Sequence, residues 1–293
     1  MNTFEAIIVA IIEGLTEYLP ISSTAHMGFT AALMGIPDSE FFKMFQISIQ
    51  FGAILAVVAL YWKKFFDFSN LNFYIKLIVA VIPALILGFL FDDMIESVLG
   101  NQIAISTVLV LGGVVLIFVD KWFKNPTILD EKQITNKKAL TIGFWQCLAM
   151  MPGTSRSAAS IIGGMTQGLS RKASAEFSFF LAVPTMAAAT LYSVFIKTWG
   201  KGTPNEAKGY EMIFQDSNHI MLFLLGNVVA FVVAMIAIKF FIAMLTKFGF
   251  KAWGWYRIVI GIILLFYFWK TPNPATDEPQ VAEITMIQSV VND

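Results

Sequence analysis

Six apolar runs, at residues 41–62, 73–91, 103–119, 173–196, 220–245 and 253–269, are each long enough to cross a bilayer. Lipid offers no partner to a backbone N–H or C=O, so every spanning segment must satisfy its own hydrogen bonds. The expected fold is therefore all-α and polytopic, with about six transmembrane helices. Composition agrees: 14% of the 293 residues are charged, against about 25% in soluble domains. A formal net charge of +0 gives no global field that would point to nucleic acid. The single cysteine, Cys147, excludes an intrachain disulfide and is expected as a small buried hydrophobe. With two histidines beside it, a structural zinc cage is excluded as well. No basic stretch precedes the first apolar segment, so no cleaved signal peptide is expected.

Four further apolar pieces are too short to span. Residues 3–15 and 21–33 flank Pro20, and residues 139–151 and 154–168 flank Pro152-Gly153. Each pair is predicted to enter and leave on one side as a re-entrant hairpin, a shape tolerated only when buried in protein or lining a wet cavity. Basic residues set the orientation. Lys63/Lys64, the five lysines of the 120–138 loop, Arg171/Lys172 and Lys247/Lys251 fall on one side, which is read as cytoplasmic. Asp38/Glu40 and Asp92/Asp93/Glu96 fall opposite, and both termini then lie outside. The expected organisation is one integral-membrane domain over 1–270 with a polar tail at 271–293, poorly ordered.

The second half repeats the first, with repeat 1 at about 1–119 and repeat 2 at about 139–270. A shift of 132 residues sets Pro20 on Pro152, Ser23 on Ser155, Phe45 on Phe177 and Ala56 on Ala188. One residue more sets Leu15 on Leu148 and Glu13 on Gln146. The order of elements carries more weight than these matches: a re-entrant pair, then three spans, twice. Three spans per half make the halves opposite in orientation. Such inverted repeats place a site near the midplane, where broken helices meet.

Residues 13–26, EGLTEYLPISSTAH, put polar groups into apolar surroundings, where they are costly unless paired or functional. Glu13 and Glu17 share one helical face. They must share a proton, hold a divalent cation such as Mg²⁺ or Ca²⁺, or face a cation such as Arg156. The plain alternative is the polar face of an interfacial helix. Ser22, Ser23 and Thr24 follow Pro20, where hydroxyls cap a helix and its N–H groups favour a bound phosphate. Three hydroxyls exceed what a cap needs. His26 lies within reach of Ser22 or Ser23, as a base, a nucleophile toward phosphorus, or a hydrogen-bonded core residue. His219, beside Asn218, is read as interfacial.

Residues 152–157, PGTSRS, form the counterpart. Gly153 lets backbone approach a ligand closely. Thr154, Ser155 and Ser157 bring hydroxyls to a helix start. Arg156 offers a planar fork suited to phosphate, or an ion pair with Glu13 or Glu17 that joins the repeats. The two stretches are expected to meet and form one phosphate site, with Ser23 close to Ser155.

These stretches, EGLTEYLPISSTAHM at 13–27 and PGTSRSAASIIGGM at 152–165, resemble the undecaprenyl pyrophosphate phosphatases of the bacitracin-resistance type. Length and span layout agree over nearly the whole chain. Ser160 departs from the family's usual threonine but keeps a hydroxyl, and the tail after Lys270 is longer than usual. The resemblance implies hydrolysis of a C55 isoprenyl diphosphate to its monophosphate and phosphate, on the outer face of a bacterial plasma membrane, recycling a cell-wall lipid carrier. It maps the family's glutamates to Glu13 and Glu17, its serines to Ser22 and Ser23, its histidine to His26 and its arginine to Arg156, and it implies support by a divalent cation.

The expected mechanism has Arg156, backbone N–H groups, Ser155 and Ser157 neutralising the diphosphate while Ser23 attacks, with His26 or Glu17 as base. His26 as direct nucleophile is the rival. The alternative function is a transporter or flippase of a prenyl phosphate lipid, in which the same groups bind without cutting. A homodimer is compatible with the sequence.

Overall fold

The computed structural model of the chain describes residues 1–99, 101–204 and 206–271. The side chains at 93, 96, 97 and 99, and the predicted tail beyond Thr271, lie outside the described residues. Thirteen α-helices run through the described residues: α1 Thr3–Thr16, α2 Ser23–Met34, α3 Glu40–Leu60, α4 Trp62–Phe65, α5 Leu71–Leu90, α6 Asp92–Leu99, α7 Gln102–Trp122, α8 Asn136–Cys147, α9 Arg156–Thr166, α10 Arg171–Leu191, α11 Gly209–Phe214, α12 Ser217–Phe248 and α13 Lys251–Lys270. Side-chain caps start most of them. Asn2 and Glu5 bond reciprocally at α1, and Ser39, Ser170 and Asp216 cap α3, α10 and α12. Six helices are long and apolar enough to cross a membrane: α3, α5, α7, α10 extended to Ile196, α12 and α13. The protein is an all-α, multi-pass membrane protein. Its described strands are two-residue pieces, β1 Thr198–Trp199 and β2 Ala207–Lys208, in the loop after α10.

The short helices pair as predicted. α1 packs on α2 and α8 on α9, each pair a hairpin that spans nothing by itself. α1 lies along α12 and α8 along α5, while α3 meets α10 and α7 meets α13. Exchanging the halves maps each contact onto another or onto itself, as an inverted repeat requires. Close approach relies on a glycine in the first helix of each hairpin. A Cβ at Gly14 would stand 2.8 Å from the Ala230 carbonyl oxygen on α12. One at Gly143 would stand 2.1 Å from the Ala80 carbonyl oxygen on α5. Membrane helices associate through such backbone contacts, since lipid removes the hydrophobic drive between them.

The repeat register differs from the 132-residue shift at the helix starts. Ser22 caps α2 with φ 69°, and Ser155 caps α9 with φ 73°. These are the positive-φ non-glycine residues among those described. Ser155 follows Ser22 by 133 positions, the same shift that relates Leu15 to Leu148. Ser22, not Ser23, is therefore the equivalent of Ser155, and Ser23 matches Arg156. The prolines mislead by one position because a fixed φ suits more than one place in a turn.

The basic segments converge on one end. Lys64 pairs with buried Glu131, and Arg171 bonds Asp120 at 2.6 Å. Asp120 also accepts the Phe250 N–H at 2.7 Å, next to Lys251. On this aqueous loop the Lys132 backbone N–H holds the Asp130 carboxyl below the usual carboxylate range. Cys147, expected buried, is only partly so, its thiol donating to the Gly143 carbonyl at the end of α8. His219 lies in the first turn of α12, its backbone N–H donating to the Asp216 cap at 2.7 Å and its ring stacked on Phe41 with centroids 3.8 Å apart.

Candidate active site

Both hairpin turns open onto one cavity of about 510 Å³. Ser22, Ser23 and Thr24 line it from the first hairpin, with Glu17 at the end of α1; Gly153, Ser155 and Arg156 line it from the second. Ser23 and Ser155 thus line the same cavity. The left-handed cap residues create this geometry. A positive φ costs a non-glycine residue roughly 1–3 kcal/mol. Each serine recovers part of it, accepting a backbone N–H three residues on: Ala25 at 3.4 Å for Ser22, Ala158 at 3.2 Å for Ser155. The sharp reversal directs the first turns of α2 and α9 into the cavity.

At its centre Ser23 donates its hydroxyl to Glu17 Oε2 at 2.7 Å. Arg156 donates from Nε and Nη2 to Glu17 Oε1, both at 3.2 Å, and from Nη1 to the Ser178 carbonyl at 3.0 Å. Ser178 is fixed in turn by Ser160, their hydroxyls 2.6 Å apart. Glu17 thus holds a hydroxyl on one oxygen and a guanidinium on the other. Glu13 lies behind it, fully buried, with Glu17, Arg156 and Ser23 in its electrostatic surroundings. Neither Glu13 oxygen reaches hydrogen-bond geometry.

Four predicted residues do not line the cavity: Glu13, His26, Thr154 and Ser157. His26 faces the other way. Its Nδ1 meets the Ser22 carbonyl at 2.8 Å, so that nitrogen carries the proton. Nε2 then accepts from the Tyr256 hydroxyl at 2.9 Å. The expected Ser23–His26 pair is absent among these bonds; the three-residue spacing allowed it, but the Ser22 carbonyl and α13 take the ring instead. Ser157 donates to the Tyr18 carbonyl at 2.7 Å, and Ser155 to the Leu19 carbonyl at 3.4 Å. These hydroxyls tie the second hairpin to the first. Thr154 contributes its carbonyl, to Arg257.

Arg257 is the residue that sequence reading missed. It is fully buried on α13 and bonds the Pro20 carbonyl of one turn at 3.0 Å. In the other turn it bonds the Thr154 carbonyl at 3.0 Å and the Gly153 carbonyl at 2.9 Å. Nε adds the Leu109 carbonyl of α7 at 3.1 Å. Its guanidinium sits over Gly112, where a Cβ would come within 2.2 Å of Nη2. The signal was available, because an arginine inside a span is a functional hypothesis by default.

An inverted-repeat membrane protein whose two broken hairpins share a buried serine–glutamate–arginine cluster is the class that fold and site define. A family model described as "Bacitracin resistance protein BacA" matches residues 6–263, and the chain belongs to that family. It is 51% identical over 266 residues to an undecaprenyl-diphosphatase of Flavobacterium johnsoniae, covering 90% of this chain and 96% of that one. Relatives of the same name from Porphyromonas gingivalis and Bdellovibrio bacteriovorus are each 48% identical, over 282 and 267 residues. They cover 90% of this chain and 96% and 95% of their own.

Proposed function

We propose that this chain is an undecaprenyl-diphosphatase, hydrolysing undecaprenyl diphosphate to the monophosphate and phosphate and so recycling a cell-wall lipid carrier. The relatives' names support the substrate. The observation that carries the chemistry is the chain of bonds Ser23–Glu17–Arg156 on one cavity wall. Phosphoryl transfer asks a protein mainly for positioning and charge neutralisation. Arg156 presents a planar fork to the distal phosphate, and the N–H groups starting α2 and α9 add their dipoles. As the phosphate draws Arg156 from Glu17, Glu17 is left to take the Ser23 proton. Ser23 Oγ attacks the distal phosphorus, the bond to the bridging oxygen breaks, and the monophosphate leaves. Water then releases phosphate from Ser23.

Glu13 and Glu17 fit a hard divalent cation, Mg²⁺ or Ca²⁺: both Glu13 oxygens are buried without hydrogen bonds, and Mg²⁺ commonly uses one or two carboxylates plus substrate phosphates. When bound it would neutralise phosphate charge. The cavity opens outward in a bacterial plasma membrane, a reading supported by Asp92 and Lys197 lining it at the end away from the basic loops. All the proposed groups come from one chain, so the chemistry does not require a homodimer.

Purified protein should release phosphate from undecaprenyl diphosphate, and labelled phosphate should be trapped on Ser23. Oxygen-18 entering phosphate directly from water in one turnover, with no labelled residue, would remove Ser23 from the role. The inverted repeat also favours a second reading, transport of a prenyl phosphate lipid. Lipid bound and moved across vesicles without phosphate release would establish that reading instead.

A further inference from the structure

The chain after Leu191 leaves α-helical geometry. Tyr192–Ile196 form a π-helical turn, closed by the Lys197 N–H donating to the Tyr192 carbonyl at 2.8 Å. Such turns widen a helix by one residue and recur at functional sites. Here the turn brings Tyr192, Ser193 and Lys197 together on the cavity wall, opposite Asp92 at the start of α6. The loop behind holds the turn in shape. Trp199 Nε1 donates to the Ser193 carbonyl at 2.9 Å, and Lys208 bonds the Ile196 carbonyl.

Two observations at this end of the cavity point to a ligand. Ser193 lines the cavity, and its hydroxyl is buried with no hydrogen-bond partner. A buried hydroxyl left unpaired costs free energy that a ligand oxygen would recover. Lys197 is the second. Its side chain is 10% exposed and bonds Asp92 Oδ2 at 3.1 Å, the oxygen that also accepts the Tyr192 hydroxyl at 3.2 Å. Lysine is a compact cation that reorients its donors readily, and it binds phosphate as a point charge.

We infer that Ser193, Lys197 and Tyr192 form a second phosphate position at the outer end of the cavity, with Asp92 as the counter-ion that phosphate displaces. It rests on the phosphatase reading for its role: a phosphate group would pause there on its way to or from Arg156. Two sources share this chemistry, the lipid diphosphate headgroup entering and the inorganic phosphate leaving. Asp92 keeps the lysine paired when the position is empty. It also competes with the anion, so removing it tightens phosphate binding, whereas removing Lys197 weakens it.

The test compares inhibition by inorganic phosphate and KM for undecaprenyl diphosphate in the full chain and three variants. Lys197→Met should raise the phosphate inhibition constant, KM, or both about tenfold, with kcat changed less. A rise in KM alone assigns the position to the headgroup, and a rise in the inhibition constant alone assigns it to released phosphate. Asp92→Asn should shift the affected constant the opposite way. Ser193→Ala removes a hydroxyl with no partner, so folding is unharmed; it should weaken phosphate about threefold. Lys197→Met and Asp92→Asn shifting the constants in the same direction, or no shift in any variant, would mean a structural ion pair and overturn the proposal. If the wild-type chain releases no phosphate, the phosphatase reading fails separately. Thermal protection by inorganic phosphate, lost in Lys197→Met, then still supports the position, and no protection overturns it.

Discussion

The two re-entrant hairpins have the same backbone and opposite chemistry. Each ends its first helix in a turn and restarts on a serine with positive φ, Ser22 in one and Ser155 in the other. Each presses a glycine of its first helix onto the backbone of a span from the other half. At the 133-residue spacing, however, Glu13 and Glu17 stand against Gln146 and Met150, and Ser23 stands against Arg156. Symmetry builds the frame; the charges break it. One hairpin brings carboxylates and a hydroxyl, the other brings the guanidinium, and neither is charge-balanced alone. Breaking a buried pair of this kind by removing one member costs roughly 3–5 kcal/mol, since the remaining charge is left unpaired.

The asymmetric residues should show the largest effects. Ser23→Ala is expected to lower kcat at least ~10³-fold, and Arg156→Lys about a hundredfold, because lysine keeps the charge and loses the fork. Phosphate-release assays measure both, and near-normal turnover in Arg156→Lys would dissolve the contrast. Next comes the clamp common to both turns. Arg257→Met should cost on the order of 3 kcal/mol, read as a lower Tm, with activity falling in step.

The frame makes its own prediction at one glycine from each hairpin. Gly14→Ala and Gly143→Ala should each destabilise by about 1–3 kcal/mol, Gly143 by more because its contact is tighter. Tolerance of one and not the other would show the two packings to be unlike. The smallest effect belongs to His26. With its ring turned to Tyr256, His26→Gln should lower activity by less than about tenfold. A loss as deep as that of Ser23→Ala would restore it as a base or nucleophile.

Much of this was legible in residue order. Continuous apolar runs marked the six spans because lipid permits little else, and short runs around Pro20 and Pro152 marked the hairpins. Glu17, Ser23 and Arg156 stood out as polar groups in apolar stretches, and the structure joins them. What was not legible is direction. His26 and Ser157 lie on the right segments, but which way a side chain leaves a helix depends on what packs there, here Tyr256 and the Tyr18 carbonyl. Lys197, just past the 173–196 run, drew no notice, because a π-helical turn has no signature in spacing. Arg257 was passed over as one polar residue in a span, and its partners lie more than a hundred positions away in sequence.

Arg257 also imposes an order on synthesis. Glu17, Ser23 and Arg156 all precede α13 in the chain, so the ribosome delivers them first. The carbonyls of Pro20, Gly153 and Thr154 then wait for a donor that arrives with α13. A nascent chain halted before residue 257 would hold every group assigned to the reaction and still lack the bolt that aligns them. The working site is thus completed only once α13 has been made.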